Sequence, residues 1–169
     1  RDALAILRSA LGDARQAGSP AWRHDGKAIA YVSAPSVGEG VIASGDDYDI
    51  YTVPYNDRMG GDASPLPGAS DPTYHEFYPV YSPGDTLLAF NRTDQPVNSY
   101  NQPSAELCVV PGDGGAATRL QANDPPACTG LVSPGLTNSW ARWAPSATTV
   151  DGKRYDWIVF SSKRHAPSN

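Results

Sequence analysis

The spacing of apolar and polar positions changes early in the chain and then repeats. Over Asp2 to Gln16, Leu4, Leu7, Leu11 and Ala14 fall on one face at helical spacing and Asp2 stands where a cap is needed, which predicts a short amphipathic helix. From residue 19 the pattern becomes that of strands. Ser19-Pro20-Ala21-Trp22, a polar turn at Arg23-His24-Asp25-Gly26-Lys27 and the run Ala28-Ile29-Ala30-Tyr31-Val32-Ser33 predict two strands around a tight reversal. The same order returns at Tyr78-Pro79-Val80-Tyr81, Ser82-Pro83-Gly84-Asp85-Thr86 and Leu87-Leu88-Ala89-Phe90-Asn91-Arg92. A third copy, Trp140-Ala141-Arg142-Trp143-Ala144-Pro145, leads through a short insertion into Asp151-Gly152-Lys153-Arg154-Tyr155-Asp156-Trp157-Ile158-Val159-Phe160-Ser161-Ser162. The aromatics Trp22, Tyr81 and Trp143 anchor the copies, 59 and then 62 positions apart.

Both faces of the second strand are apolar. Ile29 and Tyr31 lie on one side, Ala28, Ala30 and Val32 on the other, and Leu87 and Ala89 alternate with Leu88 and Phe90 in the same way. Strands covered on both sides are what stacked sheets need. A third strand follows in two copies, over Tyr48 to Pro54 and Ala105 to Pro111. Each is closed by a Gly-rich turn, Gly60-Gly61-Asp62 or Gly112-Asp113-Gly114-Gly115. Short fourth strands fit around Ser64-Pro65-Leu66 and Thr118-Arg119-Leu120. Four strands per unit is the blade of a propeller, so the expected fold is all-β: a partial β-propeller of about two and a half four-stranded blades behind a short N-terminal helix. The expected divisions are a helical segment over 1–17, blade one over 18–70, blade two over 71–122, and a long loop with the first half of blade three over 123–169. Residues 34–47, 92–104 and 121–138 read as long loops, where binding surfaces usually lie.

The quoted repeats resemble those of TolB-like, WD-repeat-like propellers: Pro-x-Trp/Phe-Ser-Pro-Asp-Gly-Lys, an apolar strand, Asp-Ile-Tyr-Val, and a Gly-rich turn before Arg-Leu. The resemblance covers about residues 19 to 164. Arg23-His24 departs from it in the first copy and Ala141 in the third. It implies a non-catalytic scaffold or protein-binding module of the cell envelope, periplasmic or extracellular, with an envelope protein as partner. The alternative is the propeller domain of a prolyl-oligopeptidase-like or tricorn-like serine peptidase whose catalytic domain lies outside this chain. A third, weaker reading is a polysaccharide-active enzyme working from its channel. Propellers usually close with 4 to 8 blades. The missing blades are therefore expected as partners, in the same polypeptide or in a separate chain, since exposed edges and apolar faces are normally covered. The start at Arg1, with Met59 the sole methionine, suggests a processed product or a piece of something longer.

Composition narrows the partners. Hydrophobic residues at 40% and charged residues at 18% describe a globular chain, and 16 Gly with 16 Pro suit many short turns. A net charge of -5 with no basic face gives no grip on nucleic acid. No apolar run is long enough to span a membrane.

Chemistry is sparse. No nucleophile elbow, P-loop, dinucleotide fingerprint or His-Glu-x-x-His occurs, and Gly130-Leu131-Val132-Ser133-Pro134-Gly135 has the wrong spacing for a catalytic serine. No enzyme activity and no cofactor are expected. The candidate binding residues are Tyr74, His75 and Glu76, placed just before the innermost strand of blade two, and Asn138 and Ser139 at the equivalent place in blade three. Such positions face a propeller's axis or rim. A hydrogen-bonded loop pair is the blander reading of His75-Glu76, and the question of a metal stays open. His24 reads as a turn residue, and His165 says nothing. Asp46-Asp47-Tyr48-Asp49 gathers carboxylates without a calcium-loop pattern. Tyr55, Tyr74 and Tyr100 are the loop aromatics worth testing for ligand contact. Cys108 and Cys128 lack metal spacing and are disulfide candidates if the chain is exported, or else buried thiols. The sequon Asn91-Arg92-Thr93 reads as chance.

Overall fold

The computed structural model describes residues 12–35, 37–38, 41–42, 47–95, 99–124 and 137–163. The predicted helix falls mostly on residues outside this set. Its last positions, 12–15, are irregular, and Gln16 already opens a strand.

The chain is all-β. In blade one, β1 (Gln16–Trp22), β2 (Ala28–Ala34), β5 (Asp49–Pro54) and β6 (Ser64–Pro65) form one antiparallel sheet in the order β1-β2-β5-β6; a short ribbon, β3 (Val37–Gly38) with β4 (Val41–Ile42), interrupts the sequence between β2 and β5. Blade two repeats the order with β7 (His75–Tyr81), β8 (Leu87–Thr93), β9 (Glu106–Pro111) and β10 (Thr118–Arg119). Blade three consists of β11 (Asn138–Trp143) paired with β14 (Ile158–Ser162), and the insertion between them folds into its own ribbon, β12 (Thr148–Val150) with β13 (Lys153–Tyr155). The arrangement is that of a partial β-propeller.

The three copies share one register. Trp22 faces Ile29, Tyr81 faces Leu88 and Trp143 faces Ile158. The sequence alignment set Asp151-Gly152 against the hairpin turns of the first two copies; that pair instead turns the β12–β13 ribbon, and the blade strand resumes at Ile158. Because Ile158 keeps its partner, the extra residues extend outward without shifting either strand's faces.

The apolar two-sidedness of the second strands is used for stacking. Ala30 and Ile50 of blade one pack with Tyr81, Leu88, Phe90, Cys108 and Val110 of blade two, while Val32, Ala34 and Tyr48 meet Phe77 nearer the inner edge. On the other face of blade two, Ala89 and Leu107 pack on Ala141, with Ile158 and Phe160 against them. Backbone bonds stitch the same seams: Glu76 N–H donates to Tyr48 O at 2.8 Å, Gly115 N–H to Pro67 O at 2.9 Å and Asn138 N–H to Ala105 O at 2.9 Å. At Gly68, φ is +83° and a Cβ would lie 2.0 Å from Gly115 O, so the outer seam requires glycine there.

Candidate functional site

The innermost strands β1, β7 and β11 each break register at the same place, between Gly18 and Ala21, Phe77 and Val80, and Ser139 and Arg142. At each bulge one non-glycine residue takes positive φ: Ser19 at 47°, Tyr78 at 54° and Trp140 at 55°. A bulky side chain in this region carries strain, and it persists only where the surroundings enforce it. Asn91 enforces the third bulge. Its Nδ2 donates to Asn138 O at 2.7 Å, and its Oδ1 accepts from Trp140 N–H at 2.9 Å. The consequence is a row of rings from blade to blade: Tyr48 on Phe77 at 4.8 Å, Phe77 on Tyr78 at 6.0 Å, Tyr78 stacked on Trp140 at 6.2 Å, and the edge of Tyr100 against Trp140 at 6.0 Å. Trp140 remains 48% exposed, with the Arg142 guanidinium 5.4 Å from its ring centre. The signal for this row was present as the repeated residue before Pro20, Pro79 and Ala141, but strand periodicity alone gives no warning of a bulge.

The five candidate residues do not form one site. His75 and Glu76 lie inside β7 rather than before it, on the seam with blade one. The His75 ring meets the Tyr48 ring edge-on at 6.0 Å, and its Nδ1 is buried without a hydrogen-bond partner. Glu76 is 1% exposed; its Oε1 accepts from Asp71 N–H at 3.1 Å, and its Oε2 has no partner. Burial, with Asp49 and Asp71 adding to it, pushes this carboxyl up to about 8, against the hydrogen bond from Asp71 and the nearby Arg92 charge. Tyr74 lies beneath the Arg92 guanidinium at 4.2 Å. Asn138 and Ser139 are within β11, on the seam between blades two and three. Asn138 Nδ2 donates to Asn123 Oδ1 at 3.1 Å, while Ser139 Oγ is buried without a partner. The first group lies on the seam of blade two with blade one and the second on its seam with blade three, and Glu76 and Asn138 serve as struts between blades.

Other charges hold the frame. Arg15 bonds Asp49 at 3.1 Å, Asp47 at 3.3 Å and Ser33 O at 2.9 Å, so two of the clustered carboxylates are taken by a guanidinium; Asp46 lies outside the described residues. Among the described residues no group of three or more His, Cys, Asp or Glu is placed to hold a metal ion. Arg92 and Arg119 share Glu106, and Arg119 also grips Asp124. Asp85 accepts from the backbone N–H groups of His24 and Asp25, at 2.9 Å each, and meets His24 Nδ1 at 2.8 Å. It thereby ties the turn of blade one to that of blade two. Burial raises this carboxyl, but the hydrogen bonds more than offset that and hold it below the usual range. Tyr55 packs on Trp22 at 5.3 Å. Asn91 of the sequon is fully buried. Cys108 is a buried free thiol, and burial pushes it up to about 12; Cys128, the other disulfide candidate, lies outside the described residues, as do His165 and Ser133.

One surface breaks the repeat. Ala30, Ala89 and Val159 occupy equivalent positions, and the first two are 0% exposed because the next blade covers them, whereas Val159 is 68% exposed. Val150, Tyr155 and Trp157 are exposed as well, with the last two rings stacked at 6.1 Å.

No helix among the described residues is long and apolar enough to cross a membrane. No family model matches the chain, and no curated protein matches it. Among solved structures, TolB from Acinetobacter baumannii is similar, with a TM-score of 0.45 and 14% identity. The match covers 86% of this chain and 29% of that one. The chain therefore spans less than a third of the length of the structure it matches.

Proposed function

We propose that this chain is a non-catalytic β-propeller scaffold, working outside the cytoplasm, that binds a protein partner of the cell envelope and is completed by further sheets of its own repeat. The observation that supports this best is the uncovered position at Val159. The two preceding blades bury the equivalent alanine against a neighbouring sheet, and the third offers Val159 and Trp157 to whatever takes that neighbour's place. Exposed apolar faces of this kind mark interaction sites. Polar groups such as Glu76, Asn138 and Ser139 are sealed in the seams, which suits a frame better than a reaction chamber.

A photo-crosslinking residue placed at Val159 in the exported chain is expected to form an adduct with a discrete envelope polypeptide, while the same residue at the exposed turn position Lys27 forms none. Equal adducts at both positions, or none at Val159, would contradict the scaffold reading.

A further inference from the structure

Blade two is tied to each of its neighbours by the same backbone bond, and the side chains at the two bonds differ in chemistry. Glu76 and Asn138 each stand one residue ahead of the position where the inner strand breaks register, Phe77 in β7 and Ser139 in β11. Each donates its N–H across a seam to the residue preceding a third strand, Glu76 to Tyr48 O at 2.8 Å and Asn138 to Ala105 O at 2.9 Å. Asn138 carries an amide, neutral at every pH, whose Nδ2 donates to Asn123 Oδ1 at 3.1 Å. Glu76 carries a carboxyl that is 1% exposed, with Oε1 accepting from Asp71 N–H at 3.1 Å and Oε2 buried without a partner. Blade one has Ala17 at this position, so the strand itself does not call for a carboxyl.

Among the described residues, the groups around Glu76 leave a charge there uncompensated. Asp71 on the preceding turn and Asp49 at the start of β5 are carboxylates themselves, and Cys108 of β9 is a buried thiol. Arg92, opposite Glu76 in β8, is bonded to Glu106 at 2.7 Å and lies over the Tyr74 ring at 4.2 Å, and its attraction is outweighed by burial. His75 sits edge-on to Tyr48. Strand β1 has no titratable side chain, Tyr31 of β2 and Tyr51 of β5 pack on each other with the Tyr31 hydroxyl donating to Asp13, and Arg142 of β11 donates to Ala141 O.

We propose that Glu76 is a proton-operated latch on the seam between blades one and two: neutral, it lets the blades close, and on losing its proton it loosens that seam while the seam to blade three holds. A carboxylate needs water or a counter-charge, and the closed seam gives Oε2 neither. Turning the charge out to water releases Asp71 N–H and pulls on the Glu76–Tyr48 bond beside it. The folded carboxyl keeps its proton to about pH 8, so the latch is shut at neutral pH and opens on alkalinisation. The device is independent of which partner the chain binds, and it makes the closure of one seam, rather than overall stability alone, respond to pH.

Amide hydrogen exchange of the protein and of Glu76→Gln, expressed as protection relative to the intrinsic rate at each pH, tests the latch. In the unaltered protein, raising the pH from 6 to 9 is expected to lower the protection of the Glu76 amide by roughly tenfold more than that of the Asn138 amide. In Glu76→Gln the two amides are expected to change together, to within about twofold. Alkylation of Cys108, buried in the cluster between blades one and two, gives a second reading: at pH 9 it is expected to run roughly tenfold faster than in Glu76→Gln, and at pH 6 equally fast. Equal loss of protection at both amides of the unaltered protein would mean overall destabilisation without a latch and would overturn the proposal. The same differential loss in Glu76→Gln, or equal alkylation rates in the two proteins at pH 9, would overturn it as well.

Discussion

Replacing Glu76 by Gln is expected to stabilise the protein at pH 9 by on the order of 3 kcal/mol and to leave it nearly unchanged at pH 4. The cause is the buried Oε2, which has no partner in a seam that also holds the Asp49 and Asp71 carboxylates. A charge there is costly, so the folded protein keeps the proton to about pH 8, whereas the unfolded chain loses it near 4.5. The folded state therefore binds more protons through that interval, and stability falls as pH rises from about 4.5 to about 8. The amide keeps the acceptor for Asp71 N–H and cannot ionise, so its profile should lose this slope. For a chain of this size the wild type should melt roughly 6–12 °C lower than Glu76→Gln at pH 9. Asp71, Asp85 and Asp94 act in the opposite sense, since hydrogen bonds hold them below the usual range. Their contribution is present above an ordinary carboxylate value and is lost on acidification below it, outside the Glu76 window. Thermal melts from pH 4 to 9 read both effects. Parallel profiles for the two proteins would refute the buried-carboxyl account.

The second large effect is a contrast between equivalent positions. Ala89→Arg forces a guanidinium into the seam between blades two and three, where the alanine is fully buried against Ala141. Overpacking and an unpaired buried charge together should cost more than about 4 kcal/mol and leave little folded protein. Val159→Arg introduces the same side chain at the same place in the next copy, where it meets water. Its cost should stay within about 0.5 kcal/mol. Urea unfolding of both variants measures the difference; similar losses would mean that Val159 is covered.

What could be read from the sequence follows from what repeats. The strand pairs anchored by Trp22, Tyr81 and Trp143 were legible because burial on both faces writes an apolar run that recurs, and the third and fourth strands followed from Gly-rich turns. The β12–β13 ribbon was misaligned because Asp151-Gly152 is good turn chemistry wherever it stands, and only the pairing of Ile158 with Trp143 shows which turn it makes. The site was legible only as single residues. Glu76 and Asn138 stand near the inner edge in the sequence pattern, yet their burial depends on Asp71, on the preceding turn, and on Asn91 and Asn123, farther away along the chain, all unremarkable by motif. Nor does a period of two announce the left-handed kink at Ser19, Tyr78 and Trp140.

The central claim is that three like strand pairs stack and that, among the described residues, the third is paired on one edge alone. Amide hydrogen exchange on the chain of residues 1–169 tests it most directly. The account predicts unbroken protection along residues 29–33 and 88–92, in strands paired on both edges, and alternating protection along 158–161, where β11 is the one paired neighbour among the described residues. Unbroken protection along 158–161 would contradict it.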